Sequence, residues 1–164
     1  MKIIRSNRKT LCLRINPQGE PEVRAPYGLS EQRILQFVED HRDWLQKQLA
    51  AYRPPRQYTP AQLAALRKAA QAYFPPLVAR WAAIMGVSPT GVKITSAKTR
   101  HGSCSPKGGL CFSLYLMEKS ERAREAVVVH ELAHLVRRDH SKEFYRVVEQ
   151  YLPDYRERAK ELKG

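Results

Sequence analysis

The sequence predicts an α+β fold in two parts: a small N-terminal β-sheet plus helix, then a larger core in which helices flank a short antiparallel sheet. Three observations lead there. Short strand-like runs separated by turn residues occur near the N-terminus and again between residues 92 and 114. Apolar residues recur at helical spacing between and after those runs. Arg53-Pro54-Pro55-Arg56 interrupts both periods and reads as a linker, so residues 1–52 and 60–164 are expected to be separate parts. With 164 residues, 43% of them hydrophobic, the chain can bury one good core with a small appended subdomain.

In the first part, strands are expected at 2–5, 10–15 and 22–25, with Asn16-Pro17-Gln18-Gly19 as a turn, giving a small antiparallel sheet. One helix should run from about 30 to 52, with Ile34, Phe37, Val38, His41, Trp44, Leu45 and Leu49 as its apolar stripe and His41 a packed or boundary residue. After the linker, Thr59-Pro60-Ala61-Gln62 forms a capping box with proline at the first helical position. The helix over 60–85 should kink or split at Pro75-Pro76, which remove backbone donors, and stop at Gly86. Strands are expected at 92–96 and 110–114, separated by a glycine-rich turn at 105–109. The edge of that sheet is a place where an extended peptide could bind through main-chain hydrogen bonds. Residues 121–129 read as a buried helix, with Ala123, Ala126, Val127 and Val129 apolar and Ser120 as N-cap. The tail reads as two helical pieces broken at Pro153, with Phe144, Val147, Val148 and Tyr151 on the core face.

The most informative stretch is His130-Glu131-Leu132-Ala133-His134, followed by His140. Two histidines four apart on a helix lie one turn above the other, about 6 Å apart, and can share one metal ion. A continuous helix rises about 1.5 Å per residue and would carry His140 roughly 9 Å beyond His134, onto another face. His140 can therefore be the third ligand only if the chain turns back at Arg137, Arg138 and Asp139. Asp139 is best able to take a left-handed conformation there, and Ser141 is placed to cap the next helix. Glu131 is wrongly angled to coordinate but able to reach a water beside the metal, which makes it the natural general base. Zinc, Zn2+, lowers the pKa of water toward about 7 and polarises a carbonyl, so the expected reaction is hydrolysis of a peptide or amide bond. Histidines continuing an apolar helix can be satisfied core residues, yet three of them with a carboxylate are costly to bury without a metal.

Around this motif the chain resembles the YgjP-like metallopeptidases, relatives of the SprT and WLM zinc proteases. The resemblance covers nearly the whole length. It rests on Thr99-Arg100-His101-Gly102-Ser103-Cys104-Ser105, on Val127 through Leu135, on His140-Ser141-Lys142-Glu143-Phe144-Tyr145, and on Leu152-Pro153-Asp154-Tyr155. Val23-Arg24-Ala25-Pro26 and Asp43-Trp44-Leu45 also look like that family. The resemblance implies a zincin-like catalytic core, with His130, His134 and His140 as metal ligands and Glu131 as the catalytic residue. Two positions depart from the family pattern. His101 stands where Trp is usual before Gly-Ser-Cys, and Tyr145 where Trp usually follows Phe. Both bear on local packing and substrate fit and leave the zinc site intact.

Rival ligands are present. Cys104 and Cys111 precede the motif, an order also found in peptide deformylases, although the spacing and flanking residues differ. Glu143 and Glu149 are candidates because many zinc peptidases take a glutamate from a later helix. His101 with Cys104 could begin a second metal site but lacks a fourth-ligand pattern. Tyr115, Tyr145 and Tyr151 are candidate phenols for oxyanion stabilisation.

Composition bounds the setting. The start, Met1-Lys2-Ile3-Ile4, is followed by Arg5, Arg8 and Lys9, which interrupt any apolar signal segment, and no run approaches a membrane span, so a cytoplasmic enzyme with no membrane partner is expected. Three cysteines, an odd number, imply no disulfide framework. The net charge is +13, and residues 61–120 hold eight Lys or Arg against Glu118 alone. Such a surface attracts anions, including nucleic acid, acidic proteins or ribosomes. Two classes thus remain open. One is a zinc peptidase acting on a peptide or protein substrate. The other is a basic nucleic-acid- or ribosome-associated protein with a structural zinc, and the two can coexist in a DNA-associated protease of SprT type.

Overall fold

The structure, a computed structural model, describes residues 1–163. It is α+β, and it divides into two compact units, residues 1–57 and 58–164.

In the first unit, β1 (Lys2–Ser6), β2 (Cys12–Ile15) and β3 (Pro21–Pro26) form a sheet of order β1-β3-β2. The expected antiparallel sheet is mixed: β2 and β3 form an antiparallel hairpin, while β1 runs parallel to β3. The turn holds because the Asn16 side chain accepts from the Gln18 and Glu20 amides while Gly19 takes a positive φ of 86°. The single helix expected over 30–52 is two, α1 (Glu31–Asp40) and α2 (Arg42–Ala51), broken at His41. His41 leaves helical geometry with its ring 4.3 Å from Phe37 and its Nδ1 2.8 Å from the Phe37 carbonyl, a local bond that competes with the ladder. Of the expected stripe only Ile34 is fully buried, packing with Val23 and Ala25, whereas Trp44 and Leu49 are exposed.

The second unit is built on α3 (Pro60–Met85), started by the Thr59/Gln62 capping box and ended by Gly86 in the left-handed conformation. It does not split at Pro75-Pro76. Both prolines are exposed, so the carbonyls they leave unpaired face solvent, while Phe74 and Val78 on the other side stay buried in the core. Next come β4 (Gly91–Thr95), β5 (Gly102–Cys104) and β6 (Gly109–Ser113), in the order β4-β6-β5. Here too the expected antiparallel sheet is mixed. The glycine-rich turn joins β5 to β6 as an antiparallel hairpin, and β4 pairs parallel on the other side of β6. Gly102-Ser103-Cys104 has little β propensity, which hides β5 in the sequence.

A 3-10 turn (Leu114–Glu118) leads to α4 (Glu121–Ala133), capped by Ser120, whose hydroxyl accepts from the Ala123 amide. α4 buries Ala126, Val127, Val128 and Val129 in a core that also contains Phe74, Phe112 and Leu116. Next follow α5 (Lys142–Tyr151) and α6 (Tyr155–Lys160), separated around Pro153, and a closing 3-10 turn, Glu161–Lys163. A carboxylate network fastens α6 to α4 and α3: Glu125 bonds Arg80, the Trp81 indole and Arg158, and Arg158 also bonds Asp154. Among the described residues no helix is long and apolar enough to cross a membrane.

Candidate metal centre

The centre forms where α4 ends. His130 is in its last turn, and His134 is the C-cap. The chain then turns back before Ser141 caps α5 by accepting from the Phe144 amide. Asp139 does not take the expected left-handed conformation, since no non-glycine residue has a positive φ among the described residues. Instead the Ser141 hydroxyl donates to Asp139 Oδ1 at 2.9 Å, and the Arg138 guanidinium pins the turn to the β5–β6 hairpin by donating to the Ser105 and Pro106 carbonyls at 3.0 and 2.7 Å.

This turn returns His140 to the other two histidines. One nitrogen from each of His130, His134 and His140 lies within 4.8 Å of the others, and they are the metal-competent cluster among the described residues. Nε2 of His130 and Nε2 of His140 are 3.1 Å apart. Two imidazole nitrogens at about 2.05 Å from one tetrahedral ion would be roughly 3.3 Å apart, so the donor set fits a shared metal. The far side of two rings is held: His130 Nδ1 is 2.8 Å from the Tyr155 hydroxyl, and His134 Nδ1 is 3.1 Å from the Arg137 carbonyl. Such contacts fix ring orientation and tautomer. All three rings pack on buried Phe144, with centroids 4.8, 4.5 and 5.1 Å from it. Burial, with the neighbouring His134 and His140, pushes the His130 pKa down to about 4, which keeps its nitrogen lone pair free at neutral pH.

Glu131 is 7% exposed, and burial pushes its pKa up to about 7, opposed by the charge of Arg100. It fits because Gly102 has no side chain. A Cβ there would come within 2.9 Å of Glu131 Cγ and Oε1, closer than side chains pack. The three histidines, Glu131, Arg100, Arg138 and residues 102–104 enclose a cleft of about 320 Å³. A more apolar pocket of about 290 Å³ adjoins it, walled by Ala126, Val127, Tyr155 and Leu162 and sharing His130 and Glu131.

The rival ligands are elsewhere. Glu143 is exposed at the start of α5, its carboxyl held low by hydrogen bonds from the backbone and Ser141, and Glu149 pairs with Arg156 at 2.6 Å. Cys104 lines the cleft outside the cluster, with burial pushing its thiol up; Cys111 is on β6, and all three cysteines are unbridged. His101 lines the apolar pocket, not the cluster. Of the tyrosines, Tyr115 packs on Tyr58, Tyr145 is 6.4 Å from the His140 ring, and Tyr151 packs against the core. Tyr155, which sequence reasoning passed over, is the one bonded to a histidine. The places of Gly102 and Arg100 in the cleft also escaped sequence reasoning, although both stand in the segment Thr99 to Ser105.

A family model described as "YgjP-like, metallopeptidase domain" matches residues 9–65 and 61–164. The chain belongs to the YgjP-like metallopeptidase family. Membership makes it a metallopeptidase and implies a metal ion, which the three histidines are able to hold. Among solved structures the chain is similar to the metallopeptidase zymogen abylysin of Pyrococcus abyssi, at 25% identity and a TM-score of 0.49, covering 53% of this chain and 89% of that one. No curated protein matches.

Proposed function

We propose that this family member is a zinc-dependent peptidase in which His130, His134 and His140 hold the metal and Glu131 is the general base. The observation that carries the reading is the convergence of three imidazoles beside a buried carboxylate in an open cleft. Zinc suits three nitrogen donors, and when bound it supplies Lewis acidity toward a carbonyl and acidifies water. The residues of the chain do the rest. Three protein ligands, with His140 exposed, would leave a bound tetrahedral ion one position for water or substrate, which favours a catalytic site over a closed structural one. The Glu131 carboxylate accepts a proton from the attacking water and returns it to the leaving amine nitrogen. Its raised pKa suits that exchange near neutrality, and a bound cation would draw it down again. Tyr155 and the Arg137 carbonyl keep two imidazoles aimed.

Substrate alignment falls to β5, the edge strand. Ladder bonds join Ser113 to His101 and Ser105 to Gly109. By antiparallel alternation the amides and carbonyls of Gly102 and Cys104 point away from β6, on the free edge that borders the cleft. An extended peptide pairing there would lie across the histidines. Replacing Glu131 by Gln tests the reading. Peptide turnover should fall by about 10²–10⁴ while zinc content stays unchanged. Full turnover in Glu131→Gln would contradict it.

A further inference from the structure

We propose that Arg100 makes the cleft selective for peptides that carry a carboxylate close to the bond to be cleaved. This rests on the peptidase reading and narrows its substrate class. Arg100 is exposed and stands where three hollows meet: the histidine cleft, the apolar pocket beside Glu131, and a groove over the sheet formed with Thr95, Ala97, Ser103 and Cys111. A peptide laid along β5 toward the histidines passes its guanidinium. Among the described residues nothing forms a hydrogen bond or ion pair with Arg100. The other arginine of the cleft, Arg138, is already committed to the Ser105 and Pro106 carbonyls.

A guanidinium presents a planar fork of donors that matches a carboxylate with two parallel hydrogen bonds. Glu131 is the one carboxylate lining these hollows, and it is buried. It feels the charge of Arg100 but makes no hydrogen bond or ion pair with it, so the exposed guanidinium keeps its donors open to a ligand. Within a concave site that charge concentrates anionic ligands, and the net charge of +13 works in the same direction at longer range. The carboxylate can come from an aspartate or glutamate side chain or from the C-terminus of the peptide; the chemistry recognised is the same.

The test uses the full chain as Glu131→Gln, so that peptides bind without turnover. Its probes are fluorescently labelled alanine-leucine hexapeptides that differ only in carrying glutamate or glutamine beside the leucine, each with a free or amidated C-terminus. Binding is read by anisotropy. A guanidinium–carboxylate pair at an exposed site should make a carboxylate-bearing peptide bind roughly 2- to 5-fold more tightly than its uncharged counterpart. Adding Arg100→Gln should abolish that difference, and Arg100→Lys should restore part of it, with thermal unfolding confirming that both variants fold. The glutamate/glutamine pair and the acid/amide pair tell the two carboxylate sources apart. Absence of a preference, or a preference surviving Arg100→Gln, would overturn the assignment. Turnover by the wild-type chain keeps the two proposals distinct. A carboxylate preference in a protein that cleaves no peptide sinks the peptidase reading alone, and cleavage without a preference sinks the Arg100 assignment alone.

Discussion

The two sheets of this chain share one topology and differ in what they carry. Each is three-stranded, with its last strand central, its first strand parallel to that and its second antiparallel: β1-β3-β2 and β4-β6-β5. The edge strand β2 reads Cys-Leu-Arg-Ile, and three buried residues, Val23, Ala25 and Ile34, form the core of its unit. The edge strand β5 reads Gly-Ser-Cys, and α4 packs beside it against a large core, close enough that a Cβ at Gly102 would strike Glu131. The candidate site therefore sits where the edge strand has been stripped of bulk. Two buried glutamates repeat the contrast. Glu22 is 4% exposed and bonded to Arg14 and Arg24, which hold its carboxyl low; Glu131, 7% exposed, is pushed up to about 7 by burial.

The largest expected effect is on the bigger core. Phe144→Ala removes the ring on which all three histidines pack and should destabilise the second unit by about 3–5 kcal/mol, whereas Ile34→Ala in the small core should cost nearer about 2 kcal/mol. Chemical denaturation followed separately in the two units checks this, and equal costs would break the contrast. In metal-free protein Glu131→Gln should be stabilising. The folded pKa of Glu131 lies above its ordinary 4.5, so the wild-type chain loses stability as pH rises from 4.5 through about 7. The variant should gain up to about 3 kcal/mol above that range and nothing below pH 4, as melts across pH would show. Gly102→Ala should lower peptide turnover by about 10² with zinc retained, because it displaces Glu131 while the histidines stay in place. Unaltered turnover would mean that Glu131 tolerates the shift.

The smallest effect belongs to Glu22, whose hydrogen bond to Arg24, then that to Arg14, lowers its pKa. The stability it contributes is fully present above about pH 4.5 and is lost as pH falls through its lower folded value. Glu22→Gln should therefore flatten the acid limb of unfolding, lowering stability slightly at neutral pH and leaving it unchanged at low pH where the wild-type carboxyl is protonated. An unaltered acid limb would show that these arginines do not act on it.

The histidine spacing was legible because helix geometry converts sequence distance directly into space. Ser120, Ser141, Thr59 and Gly86 announced their helix ends for the same local reason. What sequence hid was decided at long range. Tyr155 reaches His130 only because α6 folds back along α4, and Gly102 matters only because β5 lies beside Glu131. The parallel pairing of β4 likewise depends on a crossover that no turn residue marks. Local rules also misjudged two helices. α3 runs on through exposed Pro75-Pro76, while the expected long helix breaks at His41, whose imidazole lies against the Phe37 carbonyl.

The central claim is that three histidines from two segments hold one metal. It is tested most directly by elemental analysis of the wild-type protein beside His140→Ala, both purified without chelator or a metal-affinity tag. Near-stoichiometric zinc in the wild type that falls sharply in the variant is the outcome expected from the 3.1 Å approach of His140 to His130. Zinc held equally by both proteins, or by neither, would contradict the site.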